Sequence, residues 1–267
     1  MKRLRSDMSS SGPQGAGTAD PALIKRLDEL ILLNRLSLLG EERILNFVHN
    51  DEEIRLHIPW ADRDFIQRSI LSTGTFFEAA KLQALHSANL INQNAIIYDV
   101  GANIGNHTVY FGTTFRPAAQ IAIEPQRQVG KVLRRNLALN GLEQVKVIDC
   151  LLGRTEGRGE VANYVHRNLG ATSFREATDG AVEMRTLDSI LQAETQGRVD
   201  FVKMDVEGMH LDVLAGATEM LRTARPIIWI ELRKKMDEHA EGARFMKENG
   251  YSQTHVLGPS DFIFQPD

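Results

Sequence analysis

Residues 95–105 read AIIYDVGANIG, a short apolar run that ends in an aspartate and a turn with two glycines. The run at 95–100 is rich in β-branched residues, which predicts a buried strand. Gly101 and Gly105 let the backbone bend sharply and approach a ligand before a helix begins in GNHTVYFGTTF. The stretch therefore predicts a strand, a glycine turn and a helix, the first unit of an α/β fold.

The same alternation continues along the rest of the chain. Further apolar runs predict strands, with helical patterns between them, at 120–125, 145–150, 199–206 and 226–232. Apolar strands alternating with helices form a parallel sheet covered on both faces. The runs THVL and DFIFQ, around Gly258–Pro259–Ser260, predict a closing antiparallel hairpin. These residues, 91–267, are expected to form one ligand-binding domain with seven mostly parallel strands.

An N-terminal extension precedes this domain. Residues 1–20 are rich in Ser, Gly and charge, and we expect them to be disordered. Residues 21–90 predict a cap: a helix ending near Gly40, a hairpin around the turn at 49–52, and helices over 62–88 broken near 72–74. The stripe LIKRLDELILLNRL in the first helix suits either core packing or a dimer face, and core packing is the expectation.

Composition narrows the function classes. The 267 residues carry a net charge of −4, which disfavours nucleic acid as the main partner. The one cysteine, Cys150, excludes an intrachain disulfide and a multi-cysteine metal site. No apolar run reaches 18 residues and the start lacks the apolar core of a secretory signal. A cytoplasmic protein without a membrane span is expected.

Two acids follow the first two strands of the sheet, where ligands of such sheets bind. Asp99 precedes the glycine turn; an acid there repels a pyrophosphate and favours a cationic ligand such as a sulfonium. Glu124, 25 residues later, can accept both hydroxyls of a ribose. The pair predicts a pocket for an adenosyl group with an attached cationic amino acid. An NAD-dependent oxidoreductase is the rival, disfavoured by Asp99 and by the lack of a full GxGxxG turn.

Three titratable groups follow the fourth strand and are candidates for acid–base chemistry: Asp205, Glu207 and His210. Glu207 can equally complement the N-terminus of the next helix. Two carboxylates near His210 favour its charged form, which counts against His210 as a base. The three lack specific metal-ligand spacing, so no metal is expected. Glu78 in the cap and Asn168 in an irregular stretch are further candidate pocket residues.

The order of these motifs resembles the FkbM family of methyltransferases. The resemblance runs from about Asp64 to Phe264 and includes DFIQRSILSTGTFFEAAKLQAL, IIYDVGANIGNHTVYFG, AIEPQRQVGKVLRRNLALNGL, NLGATSF, MRTLDSIL and VDFVKMDVEGMHLDVLAGATEMLRTARPIIWIEL. It implies the class I methyltransferase Rossmann-like fold, S-adenosylmethionine as methyl donor, and O-methylation of a sugar or natural-product hydroxyl.

The resemblance also implies roles for individual residues. Asp99, Gly101, Asn103 and Gly105 would line the methionine end of the cofactor and Glu124 its ribose, with Glu78, Ala102, Pro125 and Asp149 as further expected cofactor contacts. Asp205 and Glu207 would lie near the acceptor.

One position departs from the family pattern. Where the family has DVEG-x-Glu, this chain has His210 after Met209, which leaves the identity of the general base open. The hypothesis is in-line methyl transfer to a hydroxyl of a small molecule or carbohydrate, with Asp205 or His210 as base. A protein or nucleic-acid methyltransferase and a non-catalytic cofactor-binding module are the alternatives.

Overall fold

The computed structural model describes residues 20–233 and 237–267. The predicted disordered tail, except for Asp20, lies outside the described residues. Asp20 and Asp64 each begin a helix of the cap, because their side chains accept hydrogen bonds from the backbone N–H groups of Ala22 (2.9 Å) and Gln67 (3.0 Å).

The cap has the predicted order of elements. They are α1 (Pro21–Leu38), β1 (Ile44–His49), β2 (Glu52–His57), α2 (Phe65–Thr73) and α3 (Ala79–Ser87), with β1 and β2 paired antiparallel. The expectation of core packing for the α1 stripe is wrong for most of it. Leu32 is the one buried residue of α1, and residues 21–31 are all exposed, because this part of the helix extends beyond the body of the protein.

A seven-stranded sheet forms the centre of the molecule. Its strands are β3 (Ile96–Val100), β4 (Ala119–Ile123), β5 (Lys146–Ile148), β10 (Phe201–Met204), β11 (Ile227–Glu231), β12 (Tyr251–Gly258) and β13 (Asp261–Pro266). The order is β12-β13-β11-β10-β3-β4-β5, and all neighbouring pairs are parallel except the two that include β13, which runs opposite to the other six strands. This sheet confirms the predicted Rossmann-like fold and its closing hairpin.

Helices cover both faces of the sheet. They are α4 (Asn106–Thr114), α5 (Arg127–Leu139), α6 (Leu187–Thr195), α7 (His210–Ala215), α8 (Thr218–Thr223) and α9 (Glu238–Glu248). Alternate residues of each central strand enter two separate apolar clusters: Ile97 and Trp229 pack on one face with α4 and α5, and Tyr98 and Ile230 on the other with α6 to α9. No helix in the described part of the chain is long and apolar enough to cross a membrane.

A second, four-stranded sheet lies between β5 and α6 and was not predicted. It consists of β6 (Leu151–Leu152), β7 (Gly157–Asn163), β8 (Ser173–Glu176) and β9 (Val182–Arg185) in the order β6-β9-β7-β8. A single 3-10 turn, Leu169–Ala171, joins β7 to β8 and lies over the carboxyl edge of the central sheet, against the cap.

Candidate active site

A cavity of about 320 Å³ opens at the carboxyl ends of β3, β4 and β10. Its floor is made by the residues that follow these strands. The cap contributes one wall and the second sheet another, through Phe65, Ile66, Phe77, Glu78, Asn168, Gly170, Thr172 and Phe174. Glu78 and Asn168 are two of the candidate residues that the sequence analysis named.

The two glycines of the β3 turn have different structural roles. Gly101 has φ of 77°, and a Cβ at this position would lie 1.9 Å from the backbone oxygen of Asp205. Any side chain would therefore force β3 and β10 apart at the cavity. Gly105 has φ of 86°, and its Cβ would lie 2.5 Å from Leu133 Cδ1, so this glycine permits α4 to pack on α5 and does not line the cavity.

Glu124 ends β4 and is buried against the glycine turn. Its Oε2 accepts a hydrogen bond from the Asn103 amide (3.0 Å) and its Oε1 accepts one from the Gln126 amide (2.8 Å). Burial raises the pKa of Glu124 to about 7, although both amides favour the ionised form. Ala102, Asn103 and Pro125 line the cavity beside it.

Asp99 and Asp149, the other acids expected to contact a cofactor, do not line the cavity. Asp99 is fully buried beneath the turn, where its Oδ2 accepts a hydrogen bond from Thr108 Oγ1 at 2.6 Å. Asp149 points outward and forms an exposed, bidentate ion pair with Arg134 of α5 (2.9 and 3.0 Å). Direct contact between either residue and a cofactor stays a prediction.

The acid–base group at the end of β10 includes two residues that the sequence analysis missed. Lys203 is 4% exposed, and its Nζ lies 3.3 Å from Asp205 Oδ2 and 3.9 Å from Asp99 Oδ1. Glu231, at the end of the adjacent β11, is hydrogen-bonded to Asp205. Lys203, Asp205 and Glu231 all line the cavity. A lysine within the buried run FVKM and an acid at a neighbouring strand end were the available signals.

The charges of this group are set by burial and by each other. Burial opposes ionisation of Asp205, but the ammonium of Lys203 outweighs burial and lowers the pKa of Asp205. Burial and the charge of Asp205 raise the pKa of Glu231 to about 8. Burial also opposes the charge of Lys203, yet Asp205 and Asp99 raise its pKa. At neutral pH the pair of carboxyls therefore holds one proton, on Glu231, and Asp205 is ionised.

Glu207 and His210 lie in different places. Glu207 lines the cavity and accepts a hydrogen bond from Arg233 Nη1 at 2.9 Å; burial, and then the charge of Asp205, raise the pKa of Glu207. His210 is buried in a small adjoining recess with Arg233 and Glu238, outside the main cavity. The sequence analysis expected nearby carboxylates to favour the charged form of His210. This expectation is wrong, because the effect of burial is larger than that of the carboxylates and lowers the pKa of His210.

Glu78 lines the cavity from the side of the cap. It precedes α3 in a left-handed conformation (φ 60°), where it pairs with Lys81 and, at 3.4 Å, with His107 Nε2. Burial favours the neutral acid, but His107 and Lys81 outweigh it and lower the pKa of Glu78 to about 2. Lys81 also pairs with Asp261 of β13 (2.5 Å), which attaches this part of the cap to the sheet.

A hydrogen-bonded clasp joins the two walls. Asp64 caps α2 through Oδ1, while its Oδ2 accepts the amide of Leu169 in the 3-10 turn at 2.8 Å. The Phe65 amide donates to Arg167 O (2.8 Å), and Gln126 Nε2 donates to Leu169 O (2.9 Å). The cap, the turn and the end of β4 are thus linked beside the cavity. Among the described residues, no group of three or more His, Cys, Asp or Glu side chains is arranged to hold a metal ion.

Comparison with known proteins agrees with this geometry. The family model of the FkbM methyltransferase domain matches residues 99–252, more than half of the chain. Methyltransferase sdnD of Sordaria araneosa is 31% identical over 159 residues, which cover 47% of this chain and 61% of that protein. The hexuronic acid methyltransferase AglP of Haloferax volcanii is 25% identical, over 54% of this chain and 59% of that protein. The matches thus span about three fifths of these two relatives.

A solved structure supports the fold. The crystal structure of methyltransferase FkbM from Methylobacillus flagellatus superposes with a TM-score of 0.52 and 16% identity, covering 89% of this chain and 59% of that one. The likeness extends over most of the chain and supports the Rossmann-like architecture described above.

Proposed function

The chain belongs to the FkbM family of methyltransferases, and on that premise we propose that it transfers a methyl group from S-adenosylmethionine to a hydroxyl oxygen. The acceptor in this proposal is a sugar or another small polyhydroxylated molecule. The observation that carries it is an ionised carboxylate, Asp205, exposed to the cavity next to the glycine turn and stabilised from beneath by Lys203.

The floor of the cavity fits the proposed cofactor. Gly101 has no side chain, so its backbone lies close to the backbone of Asp205, and a Cβ at this position would occupy the space between them. Each carboxylate oxygen of Glu124 accepts one hydrogen bond from the backbone. Because a carboxylate can accept about four hydrogen bonds, Glu124 can accept two more, from the two hydroxyls of a ribose. Asn103 and Pro125 are the further contacts we propose. Asp99 and Gly105 would act indirectly, by shaping the turn. When bound, S-adenosylmethionine supplies an electrophilic methyl carbon on a sulfonium.

Asp205 is the group we propose to accept the proton of the acceptor hydroxyl. Its side chain is 36% exposed, in the floor of the cavity, and it is ionised because Lys203 is close and the shared proton resides on Glu231. An alcohol is a weak nucleophile at neutral pH, so removal of its proton as the new C–O bond forms contributes typically 10²–10⁴-fold in rate. Asp205 then becomes a neutral acid, and the ammonium of Lys203 remains in place.

The charges of the cavity favour a hydroxyl over a carboxylate as acceptor. Of the side chains that line it, five are carboxylic acids, and the ammonium of Lys203 and the imidazole of His107 already contact acids. A like charge 5 Å from one carboxylate costs about 3 kcal/mol at an effective dielectric constant of 20. The relative named a hexuronic acid methyltransferase supports a carbohydrate acceptor, and these charges support methylation at one of its hydroxyls.

Calorimetric titration with S-adenosylhomocysteine tests the cofactor, with NADH as the competing ligand. We expect saturable binding of S-adenosylhomocysteine alone, weakened about tenfold in Glu124→Gln, because the amide keeps only one of the two acceptor oxygens. Glu219→Gln is the matched control, because this acid pairs with Arg222 on the surface and lies outside the cavity. Binding of NADH alone by the folded protein would contradict the proposal.

A methyl-transfer assay on paired acceptors tests the chemistry. Neutral hexosides and the corresponding uronates are compared at equal concentration with the wild type and with Asp205→Asn. We expect methylation of a hydroxyl on the neutral member of a pair, and a loss of about 100-fold or more in kcat in the variant. A methyl ester as the product, or full activity of Asp205→Asn, would contradict hydroxyl methylation with Asp205 as base.

A further inference from the structure

The first three turns of α1 stand clear of the rest of the protein. All residues from 21 to 31 are exposed, a length of about 16 Å at 1.5 Å per residue. The helix is held at its other end, where Leu32 is buried and Arg35 Nη1 donates to the backbone oxygens of Leu71 and Ser72, both at 2.7 Å. These carbonyls belong to the last turn of α2, so the support is confined to the C-terminal half of α1.

The exposed side of α1, over the whole helix, is strongly apolar. Seven large aliphatic side chains of α1 are between 45% and 77% exposed: Leu23, Ile24, Leu27, Leu30, Ile31, Leu33 and Leu38. Together they expose on the order of 600 Å², as much as the largest apolar patch of a typical monomer. Each partner in a standard interface contributes about 800 Å². The face is therefore close to the size that a stable dimer buries.

The first three turns of α1 lack the packing within the chain that stabilises most helices in proteins. Isolated helices shorter than about 12–15 residues are marginal in water, even with favourable sequences. Exposed leucines and isoleucines add no stability until they are removed from water. A partner surface that covers this face would account both for the helix and for its composition.

We propose that the α1 face binds the same face of a second copy of this chain, as a parallel two-stranded helix pair around a two-fold axis. Leu23, Leu27 and Leu30 follow one another at intervals of four and three residues, and Asn34 comes four residues later. This is the spacing of the a and d positions of a coiled coil. All four are exposed and lie on the side of the helix away from Leu32.

The polar residue in this seam supports the parallel register. In a parallel pair each seam residue meets its own counterpart, so Asn34 meets Asn34 of the second copy, and each amide can both donate and accept. A single asparagine at an a position fixes register and oligomeric state in this way. Leu33 and Leu38, at the flanking g and e positions, then close the apolar face across the pair.

Other occupants of the face fit less well. Residues 1–19 contain only Met1, Leu4 and Met8 as large apolar residues, too few to cover seven side chains. A membrane-surface helix has a polar face rich in Lys and Arg, whereas here Asp28 and Glu29 accompany Lys25 and Arg26. A second copy offers a face of the same size and pattern.

Sedimentation equilibrium of the full chain over a concentration series tests the proposal without use of the methyl-transfer reaction. We expect a reversible dimer whose Kd rises about 100-fold or more in Leu30→Glu, since two leucines leave the interface and two like charges meet. Lys25→Glu, on the opposite side of the same helix, is the control and leaves the Kd unchanged. A wild-type protein that stays monomeric overturns the proposal, and so does a dimer whose Kd is unaffected by Leu30→Glu. Co-sedimentation of a monomeric wild type with anionic lipid vesicles would instead indicate a membrane surface as the occupant, and would also overturn it.

Oxidative cross-linking tests the parallel register. The chain's one cysteine, Cys150, is buried. A disulfide between two copies would therefore form only through a cysteine introduced on α1. Leu30→Cys should form a covalent dimer under mild oxidation, because parallel d positions face each other, and Lys25→Cys should not. Cross-linking at Lys25→Cys with none at Leu30→Cys would overturn the register. Because neither readout involves the cofactor, failure here leaves the proposed reaction untouched.

Discussion

Lys203 Nζ lies 3.3 Å from Asp205 Oδ2, and the two residues stand at the end of one strand on the floor of the cavity. The same ammonium lies 3.9 Å from Asp99 Oδ1 on β3, because residue 203 pairs with residue 99 in the sheet register. One buried cation therefore compensates the acid that precedes the glycine turn and the acid that faces the proposed acceptor.

Removal of this ammonium should destabilise the protein through the charges it leaves behind. We expect Lys203→Met to lower the free energy of unfolding by about 3–5 kcal/mol, as for a buried ion pair that loses one partner. Adding Asp205→Asn should restore part of this loss, because one uncompensated charge then disappears. Urea denaturation of the single and double variants measures the coupling. Equal stability of the single and double variants would show that Asp205 does not depend on Lys203 for its charge.

The pH dependence of turnover should report the same relationship. Asp205 must be ionised to accept a proton, and Lys203 lowers its pKa, so the acid limb of the wild-type kcat profile should lie below the ordinary range of an aspartate. In Lys203→Met no ammonium opposes the effect of burial on the pKa of Asp205. The acid limb of the kcat profile should therefore shift to higher pH by about two pH units or more. Lys146→Met, which removes an ammonium that pairs with Glu194 on the surface, should leave the profile unchanged.

Glu124 should make stability fall as the pH rises. Its pKa is raised to about 7 in the folded protein, so between about pH 4.5 and 7 the folded state binds more protons than the unfolded state. The stabilising contribution is complete below about pH 4.5 and is lost as the pH rises through 7, up to about 3 kcal/mol. Thermal denaturation between pH 5 and 8 should give a flatter profile for Glu124→Gln. Parallel profiles for the two proteins would contradict the raised pKa.

The order of elements was predictable because its signals are local. Five apolar runs and a hairpin separated by glycine or proline turns identify the central sheet in the sequence. The second sheet was missed because β6 has two residues and β7, GRGEVAN, is mostly polar and exposed. The position of this sheet beside the cavity depends on contacts between residues that are far apart in the sequence, such as Asp64 and Leu169.

The site was predictable only as far as strand ends reveal it. Glu124 and Asp205 follow strands and line the cavity, whereas Asp149 also ends its strand but is turned outward by Arg134. Lys203 was included in a predicted strand with no role, since its importance arises from pairing between β3 and β10 across about a hundred residues. Register and ion pairing of this kind are not visible in one sequence.

Gly101 and Gly141 offer a matched test of the glycine turn. Both have positive φ, 77° and 66°, so alanine at either position meets a backbone strain of about 1–2 kcal/mol. A Cβ at residue 141 has no atom within 4 Å, but at residue 101 it would lie 1.9 Å from Asp205 O. We expect Gly101→Ala to cost clearly more stability than Gly141→Ala and to abolish binding of S-adenosylhomocysteine. Calorimetry on both folded variants measures this, and equal affinities would show that the turn does not form the cofactor floor.

The clasp between the walls can be separated from helix capping by comparing two aspartates. Asp20 and Asp64 both cap helices, and replacing such a cap by alanine costs about 1 kcal/mol. Asp64 also accepts the Leu169 amide, so Asp64→Ala additionally leaves this N–H without its acceptor and should cost a further ~1–3 kcal/mol. Hydrogen exchange should show faster exchange of the Leu169 amide in Asp64→Ala and no change there in Asp20→Ala.

Since the 3-10 turn lies against the cavity, affinity for S-adenosylhomocysteine should fall in Asp64→Ala and not in Asp20→Ala. An unchanged exchange rate at Leu169 would mean that Gln126 and Arg167 hold the turn without Asp64.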